Sequence, residues 1–334
     1  MTDRAWGYWT KGKLDILRRY LAAFTTATKL RTSERIYIDA FAGTPENRDR
    51  LTNEPLEGSA AIALSVDDPP FTKLRFFEIR ANAPRLEAYL RQNYPGRDLQ
   101  VFGGDCNELI PMELHRLRNL NWAPTFAFID PNGMEAKWNT LRALARFKSG
   151  RKYKAELFLL FAPPMFSRVL PVDGREVRPI DADMIDQMYG TTEWRRIYVA
   201  RLRNKIEPFQ AREDYLNLMR WRLETDLNYR WTHPIEVRNE RGHIIYYMIF
   251  ATDNEAGDRI MRSVYAQAAE EFPKMREEAR RLRARLDNES MGMTSLFGDD
   301  DESLWAPVQQ GERFYDHSPP SRPWFLGPDL PQGH

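Results

Sequence analysis

Four acidic side chains stand where apolar, β-favouring runs end, and their types and spacing point to chemistry. They are Asp39, Glu78, Asp105 and Asp130. If these runs are parallel strands of one open α/β sheet, their carboxyl ends meet at the edge where such sheets bind ligands. Carboxylates there accept hydrogen bonds from hydroxyl and ammonium groups. Asp also favours turns for its own hydrogen-bonding reasons, and Asp105 also fits the N-cap of the helix that follows it.

The stretch from Arg35 to Gly43, RIYIDAFAG, has the features of a strand that leads to a ligand. Small residues and Gly43 follow Asp39, and Thr44-Pro45 then breaks the pattern, so the backbone turns where a cofactor would lie close. A full G-x-G-x-x-G turn is absent, because the next glycine is Gly58. The structural alternative is a buried strand that ends in Asp-Ala without any ligand.

Strands and helices alternate through the first half of the chain. The predicted strands are 36–38, 74–79, 99–102, 125–129 and 155–161. The predicted helices are 10–29, 59–64, 83–93, 108–120 and 138–147. Such alternation favours a mostly parallel sheet with helices on both faces, because crossovers between parallel strands are right-handed.

The pattern changes after Phe166. A helical insertion or lid follows, then two strands, 235–238 and 243–251, that predict an antiparallel hairpin closing a seven-stranded, Rossmann-like α/β sheet. A long helix from 254 to 286 follows, kinked or divided at Pro273. The predicted organisation is 1–166 for an N-terminal helix and the α/β core, 167–230 for the helical insertion, 231–286 for the closing hairpin and C-terminal helix, and 287–334 for an acidic, proline-rich tail.

The insertion and the tail are rich in aromatic residues. In the insertion they alternate with arginines, which suits a stacked and clamped nucleic acid, but an amphipathic bundle with its aromatic side chains packed inward is favoured. The tail is expected to be poorly ordered or draped over the surface. Its aromatic anchors would be Phe297, Trp305, Trp324 and Phe325.

Composition excludes several classes of protein. With 49 basic and 48 acidic residues the net charge is +1, so no global charge marks a nucleic-acid binder. The single cysteine, Cys106, excludes an internal disulfide and a Cys-rich metal site, and the histidines show no metal-ligand spacing. No apolar run approaches the length of a membrane span and the N-terminus lacks a signal-peptide pattern, so we expect a cytoplasmic protein with no membrane partner.

Basic residues gather locally near the two ends of the core. Most such clusters are solvated helix faces, and contact with nucleic acid is the less favoured interpretation. The clusters are Lys11, Lys13, Arg18, Arg19, Lys29, Arg31 and Arg35, and Arg276, Arg280, Arg281, Arg283 and Arg285.

Six short motifs carry a family resemblance. In chain order they are YIDAFAG, GSAAIAL, FEI, GDCNELI, FIDPNG and YYMIFAT. Their order and spacing over most of residues 1–285 resemble the three-Cys-motif partner proteins, the TcmP family, and more broadly the class I S-adenosylmethionine-dependent methyltransferases. The resemblance implies a seven-stranded methyltransferase sheet, S-adenosylmethionine as cofactor, and a companion protein that bears three cysteines and resembles radical-SAM enzymes.

The resemblance also implies site residues. Asp39, Phe41, Ala42 and Gly43 would hold the methionine end of the cofactor. Glu78 would bind the ribose hydroxyls, Asp105 with the Cys106 backbone the adenine amino group, and Ile79, with Phe77 and Phe102, would sandwich the adenine ring. Asp130 and Pro131 would face the methyl acceptor as catalytic residues.

The fourth strand end departs from one methyltransferase pattern. Enzymes that methylate amino groups of nucleic acids have Asp/Asn-Pro-Pro-aromatic there, and the aromatic residue stacks on a flipped base. This chain has Asp130-Pro131-Asn132-Gly133, which keeps the acid and the first proline but lacks the aromatic residue. We therefore expect Phe166, Trp138 or a lid residue to supply a stacking surface if the acceptor is a base.

Three functions stay open on the sequence. The first is a methyltransferase whose acceptor is a nucleic acid or a modified nucleotide, acting with the companion protein. The second is a catalytically degenerate module that keeps the fold and binds a partner through its lid or tail. The third is a nicotinamide-dependent dehydrogenase, which Glu78 favours but the missing glycine fingerprint and the closing hairpin oppose.

Overall fold

The structure is a computed structural model that describes residues 5–45, 47–49, 52–173, 175–290 and 314–326. Seven strands form its central sheet. They are β1 (Ile36–Asp39), β2 (Lys73–Glu78), β3 (Leu99–Gly103), β4 (Thr125–Ile129), β5 (Glu156–Phe161), β6 (Trp231–Arg238) and β7 (Ile244–Thr252). The strand order is β3-β2-β1-β4-β5-β7-β6. Strands β1 to β5 pair in parallel, and β7 runs antiparallel to both β5 and β6.

Helices cover both faces of this sheet. They are α1 (Tyr8–Thr28), α2 (Ser59–Ser65), α3 (Ala83–Asn93), α4 (Cys106–Arg116), α5 (Trp138–Phe147), α6 (Phe166–Val169), α7 (Pro179–Tyr189), α8 (Trp194–Leu202), α9 (Pro208–Thr225) and α10 (Glu255–Ser290). Short 3-10 turns follow α4 at Leu117–Leu120 and β5 at Pro163–Met165. Outside the main sheet, Ala5–Trp6, Asn47–Asp49 and Pro55–Leu56 form a small three-stranded sheet.

Because both faces of the sheet are covered, the sequences of its strands are continuous apolar runs. In β1, Ile36 and Ile38 join the core under α4, α5 and the insertion, whereas Tyr37 joins the core under α1, α2, α3 and α10. The predicted mostly parallel sheet is confirmed. Strand β4 and helices α3 and α5 begin and end at the predicted residues.

The prediction that the C-terminal helix is divided at Pro273 is corrected by α10. It runs without interruption from Glu255 to Ser290 through Pro273, so a division at that proline is wrong. Proline removes one backbone hydrogen bond and costs about 3 kcal/mol in a helix interior. The apolar face of α10, including Tyr265, Ala268 and Phe272, is buried in the core that it shares with α1. We infer that this burial offsets the cost of the proline.

The insertion is helical, as predicted, and its described residues contain no strand. Trp194 and Tyr215 are buried in the core on the insertion side of the sheet. The indole Nε1 of Trp194 donates to Asp186 Oδ1 at 2.7 Å. The favoured interpretation, an amphipathic bundle with its aromatic residues packed inward, is therefore confirmed at these positions.

Residues 314–326 lie along the edge strand β6 and helix α9. Tyr315 forms an antiparallel bridge with Ile235, and Asn217 of α9 donates to the Ser321 carbonyl oxygen at 2.8 Å. This segment covers a strand edge that would otherwise expose unpaired backbone groups.

The aromatic anchors predicted for the tail have different outcomes. Trp324 Nε1 donates to Asp214 Oδ2 at 2.9 Å, and Phe325 packs against the core. Phe297 and Trp305 lie outside the described residues.

In the described part of the chain, no helix combines the length and the apolar character needed to cross a bilayer.

A buried acid in β5 predicts how stability depends on pH. Glu156 is 3% exposed and accepts hydrogen bonds from Tyr20 Oη at 2.6 Å and Thr252 Oγ1 at 2.9 Å. Burial raises its pKa to about 7 from the ordinary 4.5. The folded state therefore binds this proton more tightly than the unfolded chain, so the free energy of unfolding falls as pH rises from the unfolded to the folded pKa.

Glu156→Gln should remove this pH dependence, because the amide keeps the shape and does not ionise. We expect the variant to gain about 3 kcal/mol of unfolding free energy relative to the parent protein between pH 4 and pH 8. Urea unfolding at both pH values measures it. Glu87, whose side chain is 39% exposed and pairs with Arg91 on α3, provides a control: the unfolding free energy of Glu87→Gln should equal that of the parent protein at both pH values. Equal pH profiles for parent and Glu156→Gln would contradict the assignment.

Candidate functional site

A cavity of about 1300 Å³ opens at the carboxyl ends of the parallel strands. The strand order reverses between β1 and β4, and ligands of open α/β sheets bind at such a switch point. Nine of the residues predicted from sequence line the cavity, whereas Asp39 and the predicted stacking residues Phe77, Phe102, Trp138 and Phe166 do not. Those that line it are Phe41, Ala42, Gly43, Glu78, Ile79, Asp105, Cys106, Asp130 and Pro131.

Asp39 lies beneath the site. Its carboxylate is fully buried and accepts hydrogen bonds from Tyr37 Oη at 3.1 Å and from the Phe41 backbone N–H at 3.3 Å. Burial raises the pKa of Asp39 to about 7, even though hydrogen bonds from Ser59 and Tyr37 oppose the rise. Asp39 therefore supports the loop behind the cavity wall rather than facing a ligand directly.

The loop after β1 is held by its neighbours on both sides. The backbone N–H of Ala40 donates to the Phe128 carbonyl oxygen and that of Ala42 donates to the Phe77 carbonyl oxygen, each at 2.9 Å. Gly43 has a φ of +75°, a conformation that other residues adopt at a cost, and nothing lies within 4 Å of where its Cβ would be. This turn leaves open space for a ligand beside the backbone without a G-x-G-x-x-G sequence.

Glu78 joins this loop to the next one. Its Oε2 atom accepts the Gly43 backbone N–H at 2.7 Å, and its Oε1 atom accepts from Asn82 Nδ2 at 3.0 Å. A carboxylate oxygen has more than one acceptor site, so both oxygens keep capacity for a ligand. The arrangement fixes a carboxylate at the cavity wall in a position suited to a pair of hydroxyl groups.

Asp105 is the N-cap of α4, which confirms the structural alternative for this residue. Its Oδ1 atom accepts from the Asn107 backbone N–H at 2.9 Å and from Asn107 Nδ2 at 2.8 Å. The other oxygen, Oδ2, lies 4.0 Å from Lys137 Nζ, and the side chain is 43% exposed at the cavity. Capping and ligand contact are compatible because they use different oxygens.

Cys106 lines the cavity as a buried thiol. Burial, together with the neighbouring Asp105 carboxylate, raises its pKa to about 12. A thiol with such a pKa is protonated near neutrality, and the thiolate is the nucleophile. The side chain therefore contributes packing at the site and no covalent chemistry.

Asp130 forms an ion pair with Lys13, which sequence reasoning placed among the basic residues of the N-terminal cluster. Lys13 comes from α1, 117 residues away in sequence, and its side chain is 10% exposed. Its Nζ also lies 5.7 Å from the centre of the Tyr246 ring. The one local signal was a lysine on a mostly apolar helix face, with Trp9, Ile16 and Leu17 one turn away.

The predicted stacking residues are not at the cavity, with the exception of Ile79, which lines it and is 57% exposed. Phe77 and Phe102 stack on each other with ring centres 4.9 Å apart, so neither is free to sandwich an adenine. Phe166 and Trp138 are also buried, because Phe166 packs edge-on against Tyr215 and Trp138 lies under the Arg222 guanidinium. These aromatic expectations are wrong. The aromatic residues that line the cavity are Trp9, Phe41 and Tyr246.

The basic clusters are largely engaged in ion pairs within the protein. The pairs are Lys11 with Asp49, Arg18 with Glu57, Arg19 with Glu271, Lys29 with Asp68, Arg281 with Glu277 and Arg283 with Glu240. A paired cation has less attraction for phosphate, so these faces do not favour contact with nucleic acid. Within the described ranges, no group of three or more His, Cys, Asp or Glu residues is arranged to hold a metal ion.

Comparison with known proteins assigns this chain to no family. No protein-family model matches the sequence, and no curated protein matches it. Among solved structures, a Legionella pneumophila protein described by the family model DUF519 aligns with a TM-score of 0.42 and 10% sequence identity. The alignment covers 77% of this chain and 92% of that one. A likeness at this level carries no inference about function, and the resemblance to three-Cys-motif partner proteins rests on the short motifs alone.

Proposed function

We propose that this protein is an S-adenosylmethionine-dependent methyltransferase. The observation that carries the proposal is the fixed carboxylate of Glu78 beside the open Gly43 turn, at the switch point of a sheet whose parallel strands are closed by an antiparallel pair. Such a sheet is what the class I methyltransferase resemblance implies. The α/β fold alone is shared by many functions, so the site has to support the proposal.

The cofactor half of the cavity fits this ligand by charge and by space. Glu78 suits the ribose diol, and the Gly43 turn leaves room for the methionine portion. Asp105 Oδ2 suits the adenine amino group, with Ile79 against the ring. The carboxylates also complement the positive sulfonium and ammonium groups. When bound, this cofactor would supply an electrophilic methyl group.

The acceptor half lies over β4, β5 and β7. It is lined by Asp130, Pro131, Met165, Arg168 and Tyr246. Typical small-molecule pockets enclose roughly 300–1,000 Å³, so this cavity has room for a cofactor and an acceptor together. Arg80, Lys137 and Arg168 add positive charge at its walls. We therefore propose a nucleotide-sized acceptor, either a modified nucleotide or an unpaired nucleotide of a nucleic acid.

Calorimetry tests the cofactor assignment. We expect S-adenosylmethionine and its demethylated product, S-adenosylhomocysteine, to bind with micromolar or tighter dissociation constants, because the site is already formed. NAD should bind much more weakly. Preference for NAD would favour the dehydrogenase, and no binding of any of the three compounds would contradict both the methyltransferase and the dehydrogenase.

A second candidate is the catalytically degenerate module that binds a companion protein. The insertion exposes Val199, Leu202 and Phe209, which lie at the end of α8 and the start of α9 and are between 39% and 59% exposed. Exposed apolar side chains on consecutive helices favour a protein contact. The companion implied by the resemblance, a three-Cys-motif protein similar to radical-SAM enzymes, would dock there. Absence of nucleoside binding in the calorimetry would leave this candidate standing.

A further inference from the structure

The carboxylate of Asp130 uses its two oxygen atoms differently. Oδ2 forms the ion pair with Lys13 Nζ, and the two side chains are only 19% and 10% exposed. Within the part of the chain that the structure describes, Oδ1 has no hydrogen-bond partner. Asp130 lines the cavity beside Pro131 and Tyr246, in the acceptor half. A fixed carboxylate with a free oxygen at this place is suited to receive a hydrogen bond from a ligand.

Lys13 is itself held in place. Its ammonium lies over the Tyr246 ring, and the Tyr246 hydroxyl donates to the Trp9 carbonyl oxygen at 3.3 Å, one helical turn before Lys13 on α1. The ion pair makes this wall close to neutral, so no second anion is needed to balance the lysine. The lysine instead orients the carboxylate and leaves Oδ1 for the ligand.

We propose that Asp130 accepts the proton of a neutral N–H or O–H acceptor during methyl transfer, and that Lys13 is the positioning residue for its carboxylate. This inference rests on the proposed function. A lone pair of the acceptor atom forms the new bond to the methyl carbon, the carbon–sulfur bond breaks with its electron pair left on sulfur, and the acceptor's proton passes to Asp130 Oδ1. Acceptors that are already anionic, such as thiolates and carboxylates, carry no such proton and would not need Asp130 as a proton acceptor.

Sinefungin tests this proposal without knowledge of the acceptor. In this analogue a carbon that bears an ammonium group replaces the methylated sulfur, so the ammonium points where the methyl group would lie. S-Adenosylhomocysteine lacks that group. A charge-assisted hydrogen bond to Asp130 should make sinefungin bind about tenfold to a hundredfold more tightly than S-adenosylhomocysteine. Asp130→Asn should reduce this ratio of dissociation constants by about the same factor, with Lys13 still able to donate to the amide oxygen.

Glu135→Gln is the matched control. Glu135 also lines the cavity, but its Oε2 accepts the Gly133 backbone N–H at 2.6 Å, so the same loss of charge should leave the ratio unchanged. Lys13→Met should raise the ratio, because the negative charge of Asp130 is then no longer balanced and attracts the ligand's ammonium more strongly. Lys13→Arg should keep the ratio near that of the parent protein. A lysine with only a packing role would not change the ratio.

The outcomes separate the two proposals. A parent ratio near one, or a ratio that Asp130→Asn leaves unchanged, overturns the proton-acceptor role while the cofactor site stands. If neither S-adenosylhomocysteine nor S-adenosylmethionine binds, the proposed function itself fails and this inference fails with it.

Discussion

Glu78→Gln is expected to weaken the binding of S-adenosylmethionine about tenfold to a hundredfold. Glutamine can still accept the Gly43 backbone N–H through its carbonyl oxygen, so the loop should keep its position. What is lost is the negative acceptor for the ribose hydroxyls, and hydrogen bonds to a charged group are worth about 1.5–3 kcal/mol. Calorimetry on the parent protein and the variant measures the change directly.

The same substitution distinguishes two roles for Glu78. A carboxylate that binds the ribose acts on S-adenosylmethionine and S-adenosylhomocysteine alike, so both affinities should fall by the same factor. A carboxylate that acts through the sulfonium charge would weaken only the methylated compound. Glu87→Gln, on the solvent face of α3, removes the same charge outside the cavity and should leave both affinities unchanged. If Glu78→Gln bound S-adenosylmethionine as tightly as the parent protein does, the ribose-binding role of Glu78, on which the proposed function depends, would be contradicted.

Lys13→Met is expected to lower the free energy of unfolding by about 3 kcal/mol. The substitution keeps most of the apolar length of the side chain but leaves the Asp130 carboxylate, which is 19% exposed, without its partner. A poorly exposed charge that loses its partner pays a desolvation penalty that the folded state no longer recovers. Urea unfolding at pH 7 measures the loss.

Two further variants test that explanation. Arg18→Met on the same helix removes a cation that is 47% exposed and pairs at 2.7 Å with Glu57, which is 52% exposed, so its cost should stay within about 1 kcal/mol. The double variant Lys13→Met with Asp130→Asn should recover most of the loss, because it leaves no unpaired charge. A double variant as unstable as the sum of the single ones would show that the cost arises from packing instead.

The sequence by itself determined the order of the strands and helices and, for most of them, their bounds to within two residues; strand β6 begins at Trp231, four residues before its predicted start. The reason is that the apolar run of a buried strand and the helical spacing of apolar residues are both local patterns. Strand β4, for example, is an apolar run long enough to be buried on both faces, and α5 repeats its apolar residues at helical spacing. Helix α10 is the exception, because its tertiary packing overrides the local effect of Pro273.

The sequence also predicted that Glu78, Asp105 and Asp130 would lie at one cavity, because the carboxyl ends of parallel strands lie at the same edge of a sheet. It did not reveal which way each side chain points. Asp39 follows Tyr37 by two residues, and side chains two apart in a strand share a face, so its carboxylate is buried with the Tyr37 hydroxyl beneath the cavity wall.

Only the tertiary structure decided what each acidic group meets. The partner of Asp130 is a lysine 117 residues earlier on a helix outside the parallel sheet, and the stacking of Phe77 on Phe102 depends on the pairing of β2 with β3. The spacing of apolar residues indicates which face of a helix or strand is buried. The partner, exposure and pKa of an acidic side chain depend instead on atoms brought together from distant parts of the chain. The residues that line the cavity could therefore be predicted from sequence, whereas the contacts of their side chains depended on the tertiary structure.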